Sequence, residues 1–356
     1  MMKYKKPSRN FITYAMIIVV FLLCELALSG TIDSFKMSRS LKGQLVPICV
    51  YIVMAVSLNL TVGISGELSL GHAGFMSVGA FSGILFSQYL LFAFPDANLE
   101  VLRLVGALVA GGLFAGIAGV LIGIPVLRLR GDYLAIVTLA FGEIIRNLFN
   151  CIYFSIEGIG LNFGFLNPNL PGKLIINGPM GATGIKKLAT FEVGFLLVMF
   201  TLIVVLNLIN SRSGRAIMAI RDNRIAAESV GINVTKYRML AFVISAALAG
   251  MAGALYGLNF SQIQAVKFKF DTSILVLVFV VLGGIGNIRG SVIAATALTV
   301  LPEMLRQFGD YRMLIYAIVL ILVMLAVNNP TLADLLGGVR DRLPWRKKRA
   351  KGGDGK

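Results

Sequence analysis

The chain has 356 residues, of which 57% are hydrophobic and only 14% charged, with a mean hydropathy of +0.84. A soluble domain carries about 25% charged residues, so lipid must supply much of this chain's solvent, which excludes an ordinary soluble enzyme. A net charge of +16 would suggest nucleic acid in a soluble protein, but here the charge follows membrane topology and no nucleic-acid partner is expected.

Apolar runs approaching the roughly 20 residues that span a bilayer recur along the chain. They fall at 11–28, 45–61, 68–94, 104–127, 133–155, 193–210, 239–258, 273–286, 291–305 and 313–328. The eighth and ninth are short and read either as one broken segment or as two half-helices. The expected fold is therefore an all-α, polytopic membrane protein of about ten transmembrane helices, within a range of 8–11 and with possible broken or re-entrant segments. Its organisation is a cytoplasmic N-terminal segment (1–10), a transmembrane domain (11–328) that includes a cytoplasmic segment at 211–238, and a basic cytoplasmic tail (329–356). On this arrangement the inside segments hold 21 of the 33 Lys and Arg residues, as the positive-inside rule requires when both termini are cytoplasmic. Lys36, Arg39 and Lys42 go against the bias. The run 11–28 is too long for a typical signal-peptide core and reads as an uncleaved signal anchor.

Taken in chain order, the first polar landmark is Ser69 with His72, the only histidine. His72 has no second His or Cys nearby, so no metal site is expected, and it reads as a packing or pathway-lining group. Cys24, Cys49 and Cys151 fall in apolar runs without CxxC spacing and read as small packing residues. Gly63, Gly66, Gly71 and Gly74 interrupt one apolar run, and Gly283, Gly284, Gly286 and Gly290 interrupt another; broken segments of this kind are the best sequence pointer to a transporter's substrate site. Gly112-xxx-Gly116, Gly119-xxx-Gly123 and Gly253-xxx-Gly257 provide faces on which helices can approach closely. The stretch RLRGDYLAIVTLAFGEIIR (128–146) sets Glu143 and Arg146 inside an apolar helix, three residues apart and able to neutralise each other. Thr138 lies on the same run.

The segment 211–238 is charged through Arg215, Arg221, Arg224 and Glu228. Asp222 and Asn223 offer helix N-caps, Arg224–Val230 has room for about two turns, and Gly231 suits the residue that ends them. A helix this short is marginal alone in water, so it reads as a piece that docks on another surface. Downstream, the run from Gly284 to Gly290 resembles a dinucleotide loop but has three residues, not two, before its last glycine, and it follows a membrane run. No GxxxxGK[ST] occurs, and no nucleophile–base or metal constellation appears. No catalytic residue and no cofactor bound by this chain is expected, and any ATP hydrolysis belongs to other subunits.

Three motifs in order, NLTVGISGELSLGHAGF (Asn59–Phe75), the stretch 128–146 and GRAIMAIRDNRIAAESVGIN (Gly214–Asn233), resemble the LivM-type permease subunit of branched-chain amino acid ABC importers, and the resemblance runs from about Pro47 to Val327. It implies a permease of the bacterial cytoplasmic membrane. Its implied partners are a LivH-like second permease, two LivG/LivF-like ATPase subunits and an extracytoplasmic substrate-binding protein. It also implies that Arg215, Arg221, Asp222, Arg224, Ala226, Ala227, Glu228 and Gly231 couple to the ATPase. Ala226, Ala227 and Gly231 match the E-A-A-x-x-x-G loop of importer permeases, while Ile225 stands where the glutamate would be. Ser69, His72, Thr138, Glu143 and Arg146 are the candidate pathway groups. A urea, short-amide or other amino acid permease is the alternative within transport, and a stand-alone secondary transporter or channel is the alternative outside it.

Overall fold

A computed structural model describes Phe21 and residues 39–94, 100–129, 131–157 and 160–328. The segment 1–10, most of the run 11–28 with Cys24, and the tail 329–356 lie outside the described residues. The chain divides at Val300/Leu301 into two units. The second contains, among its described residues, a 3-10 turn at Leu305–Tyr311 and a helix at Arg312–Asn328.

The first unit holds six helices long and apolar enough to cross a membrane among the described residues. They are α1 (Arg39–Asn59, extended by a π-helical turn at Leu60–Ser65), α2 (His72–Ala93), α3 (Glu100–Val126), α4 (Asp132–Cys151), α5 (Phe191–Asn210) and, after two short helices, α8 (Val234–Asn259). The short helices are α6 (Arg212–Asp222) and α7 (Arg224–Ser229). The runs expected at 273–286 and 291–305 are two separate short helices, α9 (Phe270–Gly283) and α10 (Ile288–Met304). At 1.5 Å per residue neither covers the roughly 30 Å of a hydrocarbon core.

Helices α2, α3 and α8 form the densest part of the bundle. Helices in lipid gain little from mutual hydrophobic attraction, so close backbone approach has to supply the contact. Gly79 of α2 lies against the backbone of Gly250 in α8, Gly253 of α8 against Met76 of α2, and Gly111 of α3 against both neighbours; a Cβ at any of the three would collide with backbone or a packed methyl. The anticipated glycine pairs also face neighbouring helices, at Gly116 with room for a Cβ. Gly112, Gly116, Gly119 and Gly123 face Met251, Ala247, Ala246 and Met239 of α8, and Gly257 faces Ile84 of α2.

The all-α expectation needs one correction. The apolar run read as 133–155 stops being helical at Cys151, and Ile152–Glu157 continues as strand β1. It pairs antiparallel with β2 (Gly160–Phe165) and β3 (Lys173–Asn177), and short strands at Ala182–Thr183 (β4) and Gln262–Ile263 (β5) complete a five-stranded sheet of order β2-β1-β3-β4-β5. The segment IYFSIE is dense in β-branched and aromatic residues, which fit a pleated surface better than a helix.

Candidate functional site

Helix α1 runs into the π-turn Leu60–Ser65 and ends at Gly66, whose φ of +76° favours glycine. From Gly66 to Gly71 the chain is not helical, and α2 begins at His72. Buried backbone polar groups that lack helical partners must find others. Here neighbouring helices supply the missing partners. Thr138 Oγ1 of α4 accepts the Leu70 N–H at 3.0 Å and donates to the Ala135 carbonyl at 2.9 Å. Ser273 of α9 accepts the Ala73 N–H, an orphan donor of the first turn of α2, at 3.0 Å. His72 is buried with Nε2 2.8 Å from Ser57 Oγ. By contrast, the hydroxyls of Ser65, at the end of the π-turn, and Ser69, in the connection, are buried without a hydrogen-bond partner among the described residues.

The second glycine cluster meets the first. Gly284 and Gly286, both at positive φ, carry the turn between α9 and α10. Asn59 Oδ1 accepts the Gly286 N–H at 2.9 Å, and Asn59 Nδ2 donates to Ser291 Oγ at 2.8 Å. Gly63 and Gly286 lie backbone to backbone, so that a Cβ on Gly63 would stand 2.7 Å from the Gly286 Cα.

Glu143 and Arg146 pair as their spacing requires, with Arg146 Nε donating to Glu143 Oε2 at 2.7 Å and Nη2 at the same distance. The other carboxylate oxygen accepts the Phe270 N–H, the first of α9, at 3.2 Å. Arg146 and the positive end of α9 thus share one negative charge, and both oxygens are occupied.

Against the π-turn, Ile217 and Ile220 bury the apolar face of α6, Ile217 packing with Leu60, Ile64 and Ala241. Asn223 caps α7 by accepting the Ala226 N–H at 3.1 Å. Its C-terminus closes as a Schellman motif, with Ile232 N–H to the Ala227 carbonyl, Gly231 N–H to the Glu228 carbonyl and Gly231 at φ +85°. Ala227 is buried, whereas Ala226 and Glu228 are exposed and Glu228 pairs with Arg224 at 3.0 Å. Ile225 on α7 and Val230 just after it are 80% and 74% exposed, an unusual state for large apolar side chains. Arg215 donates to the Asn210 carbonyl, and Arg221 bonds to Asp222 and to the Gly63 carbonyl.

Glu67 was not anticipated from the sequence. It lies buried in the connection between α1 and α2, with Arg238 Nε 2.9 Å from Oε1, although neither carboxylate oxygen completes a hydrogen bond. Burial raises its pKa to about 7, against the lowering influence of Arg238 and Arg224. It lines a cavity of about 510 Å³ with Gly66, Arg224, Ile225 and Arg238. A second cavity, of about 310 Å³ and lined by Tyr256, Phe260, Gln262, Gln264 and Lys267, lies at the other end of α8. Arg238 and Tyr256 are roughly 27 Å apart along that helix. Signals for Asn59, Ser273 and Ser291 were present only as isolated polar residues in apolar runs. Among the described residues, no group of three His, Cys, Asp or Glu is placed to hold a metal.

Residues 41–325 match the family described as the branched-chain amino acid transport system / permease component. The chain is 36% identical over 317 residues to the high-affinity branched-chain amino acid transport system permease protein LivM of Salmonella typhimurium, covering 85% of this chain and 71% of that one. It is 34% identical to LivM of Escherichia coli K12, covering 78% of this chain and 66% of that one. A shorter match, 34% over 119 residues, covers 33% of this chain and 38% of the permease protein LivH of Salmonella typhimurium. No solved structure matches.

Proposed function

The chain belongs to the family of branched-chain amino acid transport system permease components, and on that premise we propose that it is the membrane-spanning subunit of an ATP-driven importer that carries branched-chain amino acids into the cell. The observation that carries the reading is the broken segment at Leu60–Gly71, where serine hydroxyls without partners among the described residues are buried in an apolar bundle. A zwitterion crossing lipid needs polar groups in place of water, and a zwitterion with an aliphatic side chain also needs apolar walls. The route runs from the cavity at Tyr256 and Lys267, past Ser69, to the cavity at Glu67 and Arg224. His72, Thr138 and the Glu143–Arg146 pair border it and hold its walls. The capped helix α7, with Ile225 and Val230 exposed, is the docking piece for a separate ATPase. Its coupling face comprises Arg215, Asp222, Arg224, Ala226, Glu228 and Gly231, while buried Ala227 anchors it. A second, LivH-like permease, two ATPase subunits, an extracytoplasmic binding protein and cytoplasmic termini complete the arrangement.

The test is reconstitution of the chain with those partners in proteoliposomes, followed by uptake of labelled leucine, isoleucine, valine and urea. Uptake of the three amino acids that requires ATP and the binding protein is the expected result. Uptake independent of ATP would assign the chain to secondary transport, and uptake of urea alone would move its substrate class.

A further inference from the structure

Arg221 sits on the charged cytoplasmic segment, yet its side chain is turned toward the bundle. Asp222 holds the guanidinium through Nε at 3.1 Å and Nη2 at 2.9 Å, which leaves Nη1 to donate to the Gly63 carbonyl at 2.9 Å. Gly63 is in the last turn of the π-helical extension of α1, where carbonyls lack a partner within the helix and a cation is favoured by the helix dipole. The Arg221 stem crosses Gly66, and a Cβ there would stand 2.6 Å from the Arg221 Cγ. The contact therefore depends on glycine at 66, while a Cβ at Gly63 would meet Asn59 and Gly286 instead.

The same residue touches the second discontinuity. Gly63 abuts Gly286, and Asn59, one turn earlier, accepts the Gly286 N–H and donates to Ser291. Helix α6 also rests on Leu60 and Ile64 through Ile217. A shift of α6 thus bears on the π-turn through one charge-assisted hydrogen bond and one apolar contact, and from there on the turn that joins α9 to α10. Packed elements of this kind change between discrete arrangements rather than stretching.

We propose that Arg221 is a positioning residue that passes movement of the α6–α7 segment to the two broken segments of the bundle, and that it makes no contact with the ATPase. The proposal rests on the transport reading above, but its first test does not. In the purified permease, Arg221→Gln should speed amide exchange at residues 63–67 on the order of tenfold, the effect of losing a charge-assisted hydrogen bond. Exchange in α7 should stay unchanged. In the reconstituted importer the same variant should retain the ATPase subunits at the normal ratio, while leucine taken up per ATP hydrolysed falls on the order of tenfold. Arg221→Lys, which keeps a cationic donor, should restore part of both, and it takes the place of Arg221→Gln in both measurements if that variant fails to insert.

Unchanged exchange at 63–67 overturns the proposal whatever the uptake. Faster exchange with normal uptake per ATP also overturns it, since the contact would then be structural only. Loss of the ATPase subunits would place Arg221 on the docking face and overturn it as well. A wild-type importer that does not couple uptake to ATP would instead refute the transport reading, leaving the exchange measurement to judge the contact.

Discussion

Where α2 meets α8, glycine serves to bring backbones together. Gly79, Gly250 and Gly253 put main chain against main chain, and the nearby hydroxyls of Ser77 and Ser82 return to their own helix at Gly74 and Val78. Just before α2, glycine serves to interrupt. Gly66 and Gly71 bracket a stretch without helical hydrogen bonds; beside and within it the Ser65 and Ser69 hydroxyls are buried with no partner among the described residues, and the buried Glu67 carboxylate is held only by Arg238. Buried polar groups without partners are rare and call for an explanation. On the proposed function the contrast separates a wall from a passage: one region excludes everything but itself, and the other keeps polar groups for a solute that moves through.

The largest expected effect lies in the wall. Gly79→Val would drive a branched side chain into the Gly250 backbone, which cannot swing aside as a flexible side chain can. Overpacking a dense core costs about 1–3 kcal/mol, and this site belongs at the upper end, so membrane levels should fall at least tenfold. The wall reading fails at this position if the variant inserts normally.

Next comes the Glu143–Arg146 tie. Either single neutral substitution, Glu143→Gln or Arg146→Gln, strands a charge inside a membrane helix at a cost of about 2–3 kcal/mol. Because both carboxylate oxygens already have donors in Arg146 and Phe270, the double variant should recover most of the membrane level and of the uptake normalised to it. An inserted but inactive double variant would move the pair from the border into the passage.

A smaller effect is expected at Gly231. Its φ is +85°, but nothing lies within 4 Å of a built Cβ, so Gly231→Val meets strain in the backbone alone, about 1–2 kcal/mol. The protein should insert while the ATPase subunits co-purify less well; unchanged assembly and uptake would separate α7 from docking.

The smallest effect concerns pH and Glu67. Its pKa in the folded chain is raised to about 7, so the stability supplied by its neutral form is fully present below the ordinary carboxylate pKa and is lost as pH rises through about 7. Thermal unfolding in detergent between pH 5 and pH 8 should therefore weaken more in the wild type than in Glu67→Gln. Equal pH profiles would mean that Arg238 holds the carboxylate ionised throughout.

The two interruptions and the bounds of α7 were legible in the sequence because glycine clusters and helix caps act locally. The two groups at 63–74 and 283–290 mark the two interruptions, and Asn223 with Gly231 delimits α7 because an N-cap and a positive-φ residue are set by their own neighbours. What escaped depends on partners far along the chain. Glu67 meets Arg238, and Arg221 turns inward to Gly63, and no periodicity records such pairings. The strand at Ile152–Glu157 was absorbed into the preceding apolar run, since hydrophobicity alone does not separate a helix end from a strand and the pairing with Gly160–Phe165 decides it.

Thiol accessibility along the connection tests the passage most directly. In a chain whose Cys24, Cys49 and Cys151 have been replaced by serine, single cysteines at Ser65, Ser69 and, as a control in the wall, Ser77 can be exposed to a membrane-impermeant thiol reagent during ATP turnover. Cysteines at 65 and 69 should react, and be protected by leucine, while the cysteine at 77 stays inert. Equal reactivity at all three, or reaction at 77 alone, would contradict a route through the broken helix.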